Sequence, residues 1–158
     1  MRKLASNALD LVKDRSGDAQ VMPLHMLAAG TRLERRYAEA LELYEESLDL
    51  SRRLKDEHMA AAELHNLGHV YLHLGRLTDA ERAFEDRLRM ISTPAGPYDA
   101  AMTVLNEAAL AHAHGDAAAA RTLVDRAVEQ LRAAGIELDP DDAFEVDSLR
   151  QALRPGGG

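Results

Sequence analysis

The chain has 158 residues, 46% of them hydrophobic, enough for one domain with a sizeable core. Its net charge of −8 argues against nucleic acid as a direct partner, because phosphate binding needs a basic stripe. Cysteine is absent, which removes disulfides, thiolate catalysis and thiolate metal sites and makes a reducing cytoplasm the expected setting. The N-terminus lacks the apolar core of a signal peptide, and no run approaches the roughly eighteen apolar residues of a membrane span. Arginine outnumbers lysine 16 to 3, a bias of GC-rich bacterial genomes rather than a sign of mechanism.

The elements follow in chain order. Leu4 to Asp14 carries a helical stripe at Leu4, Ala8, Leu11 and Val12. Its phrase Ala-Leu-Asp-Leu is echoed at Ser47-Leu48-Asp49-Leu50, so the chain opens halfway through a repeat. Residues 1–15 are either an N-terminal cap or the end of a longer array, and their second apolar face suggests a homodimer through this helix. Next come a helix from Asp18 to Leu33, which Pro23 either kinks or begins, and a helix from Tyr37 to Leu54. Glu57 to Leu74 follows, then Thr78 to Ile91 with Thr78 as N-cap, then a loop over Ser92 to Gly96. Pro97 starts a helix that stops at Gly115, and Asp116 caps one that runs to Ala134 and stops at Gly135. Asp139-Pro140-Asp141-Asp142 opens a last helix with an N-cap, a first-turn proline and two carboxylates at the positive helix end. Its stripe of Phe144, Leu149 and Leu153, with Val146 and Ala152 nearby, makes it a capping helix with one wet face; residues 155–158 are a frayed, flexible tail. Nothing alternates like a half-buried strand, so the expected class is all-α.

Ala40, Ala80 and Ala120 recur at a period of 40 residues, each followed four residues later by a bulky side chain, Tyr44, Phe84 or Val124. Leu48, Leu88 and Val128 continue that stripe. The preceding helices share a phase: Leu24, Leu64, Val104; Leu27, Leu67, Glu107; Ala28, Gly68, Ala108. Gly75 and Gly115 end two of those helices, and Arg35 stands at the same place in the first. Such self-similarity marks stacked supersecondary units that share a core none could bury alone.

In the central unit, Leu64, Leu67, Gly68, Tyr71, Gly75, Ala80 and Phe84 resemble the tetratricopeptide repeat family in order and spacing. The family period is about 34 residues, so each unit here is longer by roughly six. Glu107 in place of leucine, Arg87 in place of a small residue and Arg35 in place of glycine depart from the pattern. The resemblance covers roughly residues 18 to 135. It implies a right-handed superhelical α-solenoid of antiparallel helix pairs in one domain over residues 1–154. The parts are a half repeat (1–15), repeats at 18–54, 57–92 and 97–135, and the capping helix at 140–153. The elongated repeats are similar to those of bacterial signal-responsive transcription regulators, which implies a regulatory role beside an effector.

In the resembled family, ligands lie in the groove lined by the first helix of each repeat. That phase assigns to the groove His25, Met26 and Arg32, with Met22, in the first repeat. In the second it assigns His65, Asn66, His69 and His73, and in the third Met102, Asn106 and His112. Asn66 and Asn106 are equivalent, and a side-chain amide can donate to and accept from a peptide backbone. His65, His69 and His73 form an i, i+4, i+8 ladder whose adjacent members could share a metal. The outer two lie about 12 Å apart, so a metal needs a further ligand such as His25, His112 or Glu107. Clustered imidazoles would also gain charge near about pH 6. The acidic run Glu137 to Asp147 does not match a calcium loop, and Glu42, Glu45, Glu46 and Asp49 read as an outer, wet face. No phosphate loop and no serine–base pair is apparent, and no cofactor is called for. The expectation is a non-catalytic scaffold for a peptide or protein segment, with no nucleic-acid or membrane partner. The alternative is a small-ligand or metal-dependent protein, perhaps an enzyme, built on the histidine cluster.

Overall fold

The computed structural model describes residues 18–91 and 96–154, together with Asn7, Asp10 and Leu11. Those three are helical; the rest of the expected helix over residues 4–14, with its dimer surface, the loop at 92–95 and the tail at 155–158 lie outside the described residues. Among the described residues there are seven α-helices and no strand. The chain divides into two compact units, residues 1–90 and 91–158. The first contains α1 (Asp18–Leu33), α2 (Tyr37–Leu54), α3 (Glu57–His73) and α4 (Leu77–Met90). The second contains α5 (Pro97–Ala113), α6 (Ala117–Ala133) and α7 (Pro140–Ala152).

The 40-residue period is written in the turns. Arg35, Gly75 and Gly115 all have positive φ, at 59°, 71° and 84°. Each closes its helix with the same pair of backbone bonds. After α3, Arg76 N–H donates to the Tyr71 carbonyl at 2.8 Å and Gly75 N–H to that of Leu72 at 3.0 Å. Arg36 to Thr31 and Asp116 to Ala111 repeat the longer bond at 3.2 and 2.8 Å. This left-handed closure satisfies carbonyls the helix end would otherwise leave open. It leaves only a short turn, so the two helices of each hairpin run antiparallel. Lys55 and Gly135 close α2 and α6 likewise, at φ 60° and 67°. Two helices start on carboxylates: at α3 Asp56 accepts from Met59 N–H at 3.0 Å, and at α6 Asp116 accepts from Ala119 N–H at 2.9 Å.

In the first unit, Ala28, Ala40, Tyr44, Leu48, Ala60, Leu64, Leu67, Val70 and Ala83 form one continuous core. Alanine at positions 40 and 80 lets neighbouring helices close up, and Gly68 admits the ring of Phe84 directly against its backbone. The α1 helix runs from Asp18 to Leu33 as expected, with Pro23 inside it. Two expectations need correction here. Thr78 is not an N-cap: the turn at Gly75-Arg76 is so short that α4 already begins at Leu77. Leu88 is 49% exposed, because the buried stripe of α4 runs through Ala80, Ala83, Phe84 and Arg87.

The second unit packs Val104, Leu105 and Ala108 of α5 with Ala120, Val124 and Leu131 of α6, all buried. Glu107 takes leucine's place because its side chain is exposed here, 3.5 Å from Arg126 of α6. The α7 helix lies against both α5 and α6 and buries Val146, Leu149 and Leu153. Polar bonds hold its two ends: Tyr98 OH donates to Asp142 at 2.5 Å, Asp139 N–H donates to Tyr98 OH at 3.3 Å, and Arg121 donates to the Leu153 carbonyl at 2.5 Å. Asp139 precedes the helix in an extended conformation without a side-chain capping bond.

Candidate functional site: polar side chains of the first unit

The inner-face residues of α1 and α3 start from positions that the stripe pattern leaves polar, and most of them turn inward. His25 of α1 places Nδ1 3.1 Å from both carboxylate oxygens of Glu63 on α3. Ser47 of α2 donates its hydroxyl to Glu63 Oε1 at 2.5 Å. Glu63 and Ser47 are fully buried, and the His25 side chain is 20% exposed. Three helices thus meet on one carboxylate. Arg32, also fully buried, lies with its guanidinium carbon 5.7 Å from the centre of the Tyr44 ring. In this arrangement the carboxylate accepts the serine hydroxyl's hydrogen bond and the imidazole bonds the same carboxylate, so it is not the serine-to-imidazole relay that activates a nucleophile. It ties α1, α2 and α3 together.

The histidine ladder splits. His65 and His69 are buried, with ring centroids 4.8 Å apart in an edge-to-face arrangement, and His69 continues to Phe84 at 5.4 Å. His73 leaves that line and stacks on Tyr37 at 4.3 Å with the planes 6° apart. Among the described residues no three His, Asp or Glu side chains form a group able to hold a metal ion. Of the further metal ligands weighed from sequence, His25 is turned to Glu63 and Glu107 lies by Arg126.

Asn66 differs from these neighbours. It is 3% exposed, and neither of its amide atoms is among the buried side-chain atoms left without a hydrogen-bond partner. Met22 and Met26, one turn apart on α1, are 53% and 37% exposed. Met102 and Asn106 of α5 are buried, and His112 is half-buried.

Sequence reasoning missed Glu63 and Ser47, although a signal existed. Glu63 falls in the stripe Ala60, Glu63, Leu64, Leu67, and Ser47 in the stripe Ala40, Tyr44, Ser47, Leu48. Polar residues at these i, i+3, i+4, i+7 positions are the ones to suspect of burial.

Residues 20–93 match the model of the tetratricopeptide repeat. This segment is a member of the tetratricopeptide repeat family. The match spans both hairpins of the first unit. No curated protein matches the chain. Among solved structures it is similar to the crystal structure of BtubC (BKLC) from P. vanneervenii, at 21% identity and a TM-score of 0.67. That similarity covers 96% of this chain and 63% of the BtubC chain, and it shows the fold, an all-α helical repeat of the solenoid class. Tetratricopeptide repeats are in general protein-interaction scaffolds, and no helix of the described residues is long and apolar enough to cross a membrane.

Proposed function

We propose that the chain is a non-catalytic scaffold that holds a peptide or protein segment against the α1 and α3 face of its first unit. The observation that carries this is Asn66, 3% exposed on α3 with neither amide atom among the buried ones left without a partner. A peptide backbone presenting one carbonyl and one N–H would bond both halves of that amide. The exposed thioethers of Met22 and Met26 suit adaptable apolar contact beside it, and His25 and His73 supply polar edges. A cytoplasmic, regulatory setting is supported by the absence of cysteine and by the likeness of the long repeats to those of bacterial signal-responsive regulators.

Peptides selected from a display library against the full chain provide the test, with affinity read by fluorescence polarisation. Asn66→Ala should weaken a selected peptide by roughly 1–3 kcal/mol, a larger change than its effect on unfolding. A variant that unfolds more easily but binds equally well, or a library that gives no saturable binder, would refute the reading.

A further inference from the structure

A concavity lies between the second helices of the hairpins of the first unit. It encloses about 320 Å³, at the lower end of the roughly 300–1,000 Å³ of ligand-holding pockets. Its floor is apolar and already buried: Leu48 from α2, Leu64 and Leu67 from α3, and Ala83 from α4. Its rim is charged. Glu45 and Asp49 stand on α2, Asp79 and Asp86 on α4, with Arg52 and Arg82 beside them.

The balance of charge decides what fits. Together α2 and α4 carry nine carboxylates, five and four, against five arginines, one of which, Arg87, is buried. The rim carboxylates have only replaceable partners. Asp49 meets Arg53, Asp79 meets Arg76 at 2.8 Å and Asp86 meets Arg89 at 2.7 Å, all in solvent-exposed pairs one helical turn apart. Such pairs hold little free energy against a competing cation. Glu45 accepts from Tyr71 OH at 3.0 Å. Burial first, then Glu45, lifts that phenol to about 12, so it remains a donor throughout the neutral range.

We propose that this cleft docks a basic segment of a partner protein, with one apolar side chain seated on the leucine floor and flanking Lys or Arg side chains on the carboxylate rim. The site is separate from the Asn66 and Met22/Met26 face and does not depend on it.

Three short fluorescein-labelled peptides test it on the full chain: one with Leu-Phe flanked by Lys and Arg, one with Ala-Ala at its centre, and one with Glu in place of every cation. The first should bind saturably and lose affinity with added salt. Asp49→Lys/Asp86→Lys should weaken it about tenfold, and Asp49→Asn/Asp86→Asn by less. Both side chains are exposed, and circular dichroism verifies the fold. The Ala-Ala peptide should bind more weakly, and Asn66→Ala should leave the first peptide unaffected. The proposal is overturned by equal binding to the charge-reversed protein or by indifference to the apolar centre. Tighter binding of the acidic peptide, which Arg52 and Arg82 would then carry, or no saturable binding at all, also overturns it.

Discussion

Replacing Gly68 by alanine tests the packing of the second hairpin directly. A Cβ built on Gly68 would stand 2.5 Å from Phe84 Cδ1 and nearer still to Cε1 and Cζ, where carbon atoms in contact prefer about 3.5–4.0 Å. The ring must therefore move by an ångström or more. It has nowhere easy to go, because Phe84 is buried and its other edge leans on His69, which leans on His65. Overpacking of this kind costs about 1–3 kcal/mol, and the displacement puts this case near the top of that range. Alanine's helix preference over glycine returns about 1 kcal/mol, leaving a net loss of about 2 kcal/mol. Urea denaturation followed by far-UV circular dichroism measures it. In a Phe84→Leu background the clash is relieved, so the same substitution should cost at least about 1 kcal/mol less in a double-mutant cycle. A neutral or stabilising Gly68→Ala, or an identical cost in both backgrounds, would refute the reasoning.

Arg35 holds φ 59° where the later repeats use glycine, so Arg35→Gly should stabilise the chain by about 1 kcal/mol and Gly75→Ala should destabilise it by a similar amount, both read from urea midpoints. Glu63→Ala strands Ser47 and His25 inside the first unit and should cost about 3 kcal/mol, less for Glu63→Gln; a loss below about 1 kcal/mol would show the network to be dispensable. Tyr98 has its pKa raised by burial and then by the charge of Asp142. A raised folded value means that its stabilisation is complete below about pH 10 and drains away as pH climbs towards that value. Tyr98→Phe should therefore cost about 1 kcal/mol at neutral pH and decline less steeply above about pH 10, as denaturation at both pH values would show; parallel declines would remove Tyr98 from the account.

The helical plan was legible because it rests on local backbone requirements. Glycine at 75 and 115 announces the left-handed closure, and the shared period then assigns the same closure to Arg35 despite its side chain. The observed bounds of α2 coincide with those expected, and α3, α4 and α6 differ by a residue or so at an end. What failed were judgements about single side chains. Thr78 has the chemistry of a cap, but the turn length set by Gly75 and Arg76 decides where α4 starts. Leu88 has the chemistry of a core residue, but the stripe set by Ala80 and Phe84 passes through Arg87.

For the candidate site the difficulty is deeper, because burial of a polar group is a property of its partners rather than of its own helix. His25, Ser47 and Glu63 lie on three helices, with Glu63 38 and 16 residues from the other two, and each can be inside only because the others are. No pattern within one helix reveals such a triangle. The same logic separates Asn66 from Glu63, two buried polar residues on one helix. Glu63 receives its hydrogen bonds from within the chain, so its conservation of geometry serves folding. Asn66 is 3% exposed as a residue, but neither amide atom is among the buried ones left without a partner, so burial of the residue does not by itself assign the amide a role in folding. A residue whose removal leaves folding intact and weakens binding is what would distinguish a site from a core, and the proposed site residue on α3 lies three positions from the core carboxylate.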